Sequence, residues 1–215
     1  MSGPLLRTGP ERKATGANAQ PLWSAGAASC VNTKLTAVKS GSRLEGLGVT
    51  GCGMTNSTTQ PPLTIRTARP ADAETMTRVT MLSKQANGYD DAFMAMCADE
   101  LRVTPERLEH GRYWVAGRGE ILGCASLWKA DENIGEVHAF FIHPDAQGQG
   151  VGRALWQVLL AAAKADGITS LRLDSDPEAE GFYKRLGFKT TGRSPSGSIP
   201  GRTIPLMELH LDSRD

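Results

Sequence analysis

From Leu63 onward, hydrophobic and polar positions fall into short periodic blocks separated by glycine, proline and asparagine. LTIRTARP (63–70) alternates and stops at a proline, the pattern of a strand leading into a helix. Between Ala71 and Ala86 the apolar residues Ala73, Met76, Val79 and Leu82 recur at three-residue steps and Asn87-Gly88 follows, which predicts a helix with a stop signal. DDAFMAMCADEL (90–101) and TPERLEH (104–110) predict a second, broken helical region. RYWVAG (112–117) and ILGCASLW (121–128) are predicted strands joined at Gly117-Arg118-Gly119, a hairpin signal. IGEVHAFFI (134–142) is a third strand-like run, stopped by His143-Pro144.

Beyond it, Ala154, Leu155, Val158, Leu159 and Ala162 share one face of a predicted amphipathic helix, with Gly167 as its C-terminal cap. SLRLDS (170–175) alternates as a strand. DPEAEGFYKRLG (176–187) reads as a helix with Asp176 as N-cap, Pro177 in the first turn, Gly187 as C-cap and Ala179, Phe182, Tyr183 and Leu186 as its buried stripe. FKTTG (188–192) and TIPLMELHL (203–211) are two last strands, across a loop rich in Gly, Pro and Ser. Arg193 and Arg202 in this region are read as solvated, the alternative being contact with a carboxylate. The order β-αα-β-β-β-α-β-α-β-β predicts one α/β domain, a mixed central sheet flanked by helices, over 63–215.

Composition divides the chain at the start of that pattern. Residues 1–62 carry Arg7, Arg12, Lys13, Lys34, Lys39 and Arg43 against only Glu11 and Glu45, are rich in Gly, Ser, Thr and Ala, and show no sustained apolar period. Such a stretch buries too little surface to offset its ordering entropy, so 1–62 is expected to be a disordered N-terminal extension. It reads either as a targeting segment or as an upstream extension, Met54 being an ordinary start just before the domain. The formal net charge of +1 over 215 residues argues against a dedicated nucleic-acid binder. No apolar run approaches the roughly 18 residues that a membrane helix needs. Cys30, Cys52, Cys97 and Cys124 form no CxxC pair, and the four histidines are scattered, so neither a metal site nor a disulfide framework is expected. A reduced cytoplasmic compartment is the expectation, with the protein a monomer or homodimer.

HPDAQGQGVGRAL (143–155) gives up side chains at Gly148, Gly150 and Gly152 just where a helix begins. Each glycine costs about 1 kcal/mol relative to alanine in a helix. A strand, a glycine-rich turn and a helix N-terminus together make an anion site: first-turn N–H groups lack helical partners, and glycine lets a phosphate approach them. Counting from Gly148 or from Gly150, the dinucleotide fingerprint G-x-G-x-x-G fails at Arg153 or Leu155, and no Lys-Ser/Thr pair completes a nucleotide-triphosphate loop.

What fits is Gln147-x-x-Gly150-x-Gly152, read as [Q/R]-x-x-G-x-[G/A], which resembles the coenzyme A pyrophosphate loop of the GNAT superfamily of N-acetyltransferases. GFYKRLGF (181–188) resembles the family's late F-Y-x-x-x-G-F helix end, and TIRTARPADAETM resembles its opening. The resemblance covers roughly 63–212, and its two motifs stand in the expected order and contexts. It implies an acetyl-CoA-dependent N-acetyltransferase, with acetyl-CoA as co-substrate, a primary amine of a small molecule or protein as acceptor, and no metal. A non-catalytic acyl-CoA-binding module on the same fold is the alternative.

By this resemblance the segment Gln147, Gly148, Gln149, Gly150, Val151, Gly152 and Arg153 holds the pyrophosphate, Arg153 adding positive charge. Phe140, Phe141 and Ile142 match the strand end whose backbone pairs with the pantetheine arm and supplies an oxyanion donor, their side chains pointing to opposite faces of the sheet. Glu136, eleven residues before Gln147, matches the general base of members with a strand glutamate. His138 shares its face and competes with it, as does a water chain. Tyr183 matches the tyrosine that donates to the coenzyme sulfur. Asp176 stands where many members have an asparagine that contacts the coenzyme. An ionised aspartate accepts hydrogen bonds but cannot donate, and Asp176 also explains itself as an N-cap.

Overall fold

The computed structural model describes residues 61–211 together with a two-residue strand, β1 (Ala28–Ser29). Apart from these two residues and 61–62, the expectation of disorder over 1–62 and the start at Met54 lie outside the described residues. At Ala28–Ser29 themselves the backbone is strand, a local departure from that expectation.

In chain order β2 (Thr64–Thr67) leads into α1 (Ala73–Gln85), and α2 (Asp91–Leu101) and α3 (Pro105–Glu109) follow. Then come β3 (Arg112–Gly117), β4 (Ile121–Asp131), β5 (Ile134–Glu136) and β6 (Phe140–Ile142). The chain continues through α4 (Val151–Ala165), β7 (Ser170–Ser175), α5 (Glu180–Arg185), β8 (Lys189–Pro195) and β9 (Thr203–His210). Local chemistry sets the boundaries. Asp90 accepts from the Phe93 N–H and Thr104 from the Arg107 N–H, so the broken helical region becomes two capped helices. Asp176 accepts from the Glu178 N–H and caps the short turn Pro177–Ala179 that precedes α5. Gly167 and Gly187 take φ of +71° and +96° just past α4 and α5.

The strands form one mixed sheet in the order β2-β3-β4-β5-β7-β9-β8, with β6 paired to β4 and β1 to β7. β5 and β7 run parallel, while β4, β6, β8 and β9 pair antiparallel. Two cores cover its faces. On one, α4 and α5 pack Leu155, Leu159 and Tyr183 against Leu127, Phe140, Leu171 and Leu173. On the other, α1 and α2 pack Met76, Val79, Met94 and Cys97 against Val115, Cys124, Phe141 and Ile204. Phe140 and Phe141 thus face opposite sides, as alternation requires.

Two expectations are corrected and one is refined. The run 134–142 is not one strand. Trp128 opposes Glu136 while Ala125 opposes Phe140, so four steps on one strand match three on the other. The extra residue is a bulge, anchored where the Ala139 N–H donates to Ser126 Oγ at 2.8 Å. On α1, Leu82 is 42% exposed, whereas Thr80, Ser83 and Lys84 are buried. A three-residue step falls short of the 3.6-residue turn, so a stripe drawn at that spacing drifts off the buried face. On α4 the buried stripe is Val151, Leu155, Leu159 and Ala163 with Trp156, at four-residue steps. Val158 and Ala162 are partly buried against the same core and also line a groove with Thr67, Leu108 and Trp114.

Candidate active site

The bulge opens the sheet. β6 pairs with β4, and β7 pairs with β5 through Arg172, so past that point the two strands diverge. β9 already takes one edge of β7 through Asp174, and β1 lies along the other at Asp174 and Ser175. Phe140, Phe141 and Ile142 are all buried, which leaves their backbone as the part that a strand-like ligand could address.

The glycine loop follows directly from β6. Gly148 and Gly150 have φ of +75° and +83°, conformations that side-chain-bearing residues rarely adopt. Gly152 is helical, and a Cβ there would make ordinary contacts of 3.6–3.8 Å with Ile142 and Phe140. Two of the three glycines therefore serve the backbone path, and the third leaves room beside β6. Gly150 is the N-cap of α4 and offers no side-chain cap, so the first N–H groups of a 15-residue helix point out unsatisfied. Gln147 Nε2 is buried without a hydrogen-bond partner. Gln149 donates to the Asp145 carbonyl at 2.6 Å, Val151 is fully buried, and Arg153 is exposed. The loop thus presents backbone donors, an orphaned amide and a nearby cation, the donor set that suits a pyrophosphate.

Glu136 and His138 meet on the opposite face of the sheet from α4. His138 Nε2 lies 3.0 Å from Glu136 Oε2. This hydrogen bond, opposed by burial and aided by the charges of His138 and Arg172, holds the Glu136 carboxyl below its ordinary range. The imidazole packs on Trp128 at 4.4 Å between ring centroids, and Trp128 Nε1 donates to Tyr113 Oη at 3.1 Å. Gly111 admits this indole: a Cβ there would come within 2.4 Å of Trp128 Cδ1.

Tyr183 is fully buried, edge-on to Phe182 and Phe188 at 5.3 and 5.5 Å. The carboxylate of Asp176 is also fully buried. Lys84 Nζ lies 3.1 Å from its Oδ2, Tyr89 Oη lies 2.8 and 3.0 Å from its two oxygens, and the Glu178 N–H donates to Oδ1 at 3.0 Å. Burial alone would raise its pKa. The Lys84 charge, the Glu178 N–H and the Tyr89 hydroxyl outweigh burial and hold it below the ordinary range. The Tyr89 phenol is pushed up to about 12 by burial and by the Asp176 charge, so it remains a donor. Asp176 is thus held by Lys84, Tyr89 and the Glu178 N–H.

The acetyltransferase (GNAT) domain family matches residues 109–190. A peptidyl-lysine N-acetyltransferase of Salmonella typhimurium is 39% identical over 101 residues, which cover 42% of this chain and 68% of that protein. The chain belongs to the GNAT superfamily of acetyl-CoA-dependent N-acetyltransferases. An L-methionine sulfoximine/L-methionine sulfone acetyltransferase of Pseudomonas aeruginosa is 36% identical over 104 residues, 44% of this chain and 60% of that enzyme. The PaiA N-acetyltransferase of Thermoplasma acidophilum, solved in complex with coenzyme A, shares the fold with a TM-score of 0.58 and 20% identity, covering 70% of this chain and 99% of its own.

On this GNAT sheet, sequence reasoning missed Asp174. Its Oδ1 is buried without a hydrogen-bond partner. Burial raises its pKa against the Ser194 hydroxyl, and the Glu136 charge adds to the rise. The alternation of SLRLDS was the available signal, since it sets Arg172 and Asp174 on the face opposite Leu171 and Leu173. Lys84 and Tyr89 were missed as well, and Arg202 is not solvated but packed among them, its side chain 21% exposed. Arg193 donates to Thr203 Oγ1 and to its carbonyl. No helix among the described residues is long and apolar enough to cross a membrane.

Proposed function

We propose that this chain transfers the acetyl group of acetyl-CoA to a primary amine by direct attack of the amine nitrogen. The observation that carries the reading is the bulge-opened sheet, which sets an unsatisfied helix N-terminus on one side of β6 and an ionised carboxylate–imidazole pair on the other. Acetyl-CoA supplies the activated acyl group. The N–H groups of the 147–153 loop and Arg153 hold its pyrophosphate, and the backbone of Phe140–Ile142 holds its pantetheine arm and stabilises the developing oxyanion.

An alkylamine with a pKa of about 10 arrives protonated, and its nitrogen is nucleophilic only after losing a proton. Glu136 attracts the ammonium and, with His138 at 3.0 Å, takes that proton directly or through water. Tyr183 returns a proton to the departing thiolate. A cysteine relay has no support among the described residues: the Cys124 thiol is pushed up to about 12 by complete burial, and burial raises the Cys97 thiol as well. A thiol so disfavoured as thiolate is a poor nucleophile.

The test is release of free coenzyme thiol from acetyl-CoA across a broad amine panel that includes lysine peptides, amino acids and polyamines. The expected result is amine-dependent thiol release with one acetylated product. Tight acetyl-CoA binding without thiol release on any amine would overturn the reading in favour of a non-catalytic acyl-CoA-binding module.

A further inference from the structure

The end of α1, the turn to α2 and the β8–β9 loop close around the carboxylate of Asp176. Lys84 sits 3.1 Å from Asp176 Oδ2, and both are buried. Arg202 Nη2 stands farther from the same oxygen, at 3.8 Å, and donates to Tyr89 Oη at 2.7 Å. The guanidinium also lies over the stacked rings of Phe93 and Tyr89, 4.9 and 5.3 Å from their centroids. Two cations thus share a single carboxylate, and the one nearer solvent is the one less well matched to it. Arg202 Nη1 and Nε have no hydrogen-bond partner among the described residues, which leaves part of a planar fork suited to a carboxylate.

A second observation is independent of charge. Ser83 is 1% exposed, and its Oγ has no hydrogen-bond partner. Both amide atoms of Asn87 are likewise buried and unpaired. Ser83 immediately precedes Lys84 in α1, and Asn87 stands two residues past the end of that helix. Buried polar groups are seldom left unpaired, and these two belong to residues within three positions of Lys84 in the chain.

We propose that this cluster is the part of the acceptor site that receives an anionic group, so that the acceptor is an amine that also carries a carboxylate. The inference rests on the acetyl-transfer reading. Asp176 follows Asp174 by two residues, about 7 Å along an extended backbone. The acid-lined end of the cleft, with Glu136 and Asp174, therefore takes the ammonium, and Arg202 takes the carboxylate beyond it. Lys84 neutralises Asp176 from beneath, which keeps the Arg202 charge available to the ligand.

The experiment compares paired acceptors that differ only in the carboxylate: amino acids and the amines left without their carboxyl group, ω-amino acids of increasing length, and a lysine peptide with both ends blocked. Thiol release is followed for wild type, Arg202→Gln and Arg202→Lys. The expected result is a tenfold or larger preference in kcat/KM for the carboxylated member of at least one pair. Arg202→Gln should shrink that preference by tenfold or more through KM, and Arg202→Lys, which keeps charge but loses the fork, should shrink it less. Thiol release indifferent to the carboxylate, or fastest on the blocked peptide, overturns the inference while the acetyl-transfer reading stands. If Arg202→Gln fails to fold, the wild-type preference and the Arg202→Lys variant still decide. No thiol release with any amine overturns both.

Discussion

Glu136 Oε2 and His138 Nε2 lie 3.0 Å apart although one side chain belongs to β5 and the other to the bulge that follows it. The hydrogen bond keeps Glu136 ionised below the ordinary carboxylate range, so a negative charge persists at the cleft throughout neutral pH. That charge draws an ammonium in, and the adjoining imidazole gives its proton somewhere to go.

Glu136→Gln removes the charge at nearly constant shape. Turnover at neutral pH should fall about 10- to 100-fold, within the range of acid–base contributions. The rising limb of the pH–rate profile should move upward toward the amine's own pKa, where the proton leaves unaided. Thiol release measured from pH 6 to 10 checks this, and a wild-type profile would assign the proton to His138 or to water alone.

Tyr183→Phe keeps the ring against Phe182 and Phe188 and deletes only the hydroxyl. Stability should change by less than about 1.5 kcal/mol. Turnover should drop about 10- to 1,000-fold if the hydroxyl protonates the thiolate, with acetyl-CoA affinity nearly constant. Single-turnover kinetics beside calorimetry separate the two effects, and unchanged turnover removes Tyr183 from the chemistry.

Gly150→Asp places a Cβ at a φ of +83° and an anion at the N-terminus of α4. Nothing lies within 4 Å of that Cβ, so the fold should survive. Acetyl-CoA affinity should fall by tenfold or more, about 1.4 kcal/mol. Unchanged affinity in calorimetry would contradict the pyrophosphate assignment of the loop.

Lys84→Met leaves Asp176 buried with its nearest cation gone. Breaking a buried pair in this way costs about 3–5 kcal/mol, and denaturant melts should show a loss of that order at neutral pH. In wild type the folded pKa of Asp176 is depressed, so its contribution is complete above the unfolded value of about 3.9 and disappears as pH falls through the lower folded value. In the variant burial dominates and raises that pKa, so its deficit should shrink as pH drops from 7 toward 3. A deficit independent of pH would mean that packing, not charge, accounts for it.

Much of this protein was determined by signals that act over a few residues. The caps at Asp90, Thr104 and Asp176, the left-handed glycines of the 147–153 loop and the alternation of β7 depend on local backbone geometry and side-chain period, which a sequence carries directly. The shared face of Glu136 and His138 was legible in the same way, because residues two apart on extended backbone point to one side. Other features were settled by tertiary structure. The run 134–142 alternates like one strand, and only the partner strands, with Ser126 holding the Ala139 N–H, impose the bulge that opens the sheet. Lys84 looks like a solvated lysine near a helix end. Its burial follows from meeting Asp176, 92 residues away, and Tyr89 in turn meets Arg202 across 113 residues. Burying a charge is tolerated only where its partner is in place, and no local pattern encodes which distant carboxylate that partner will be.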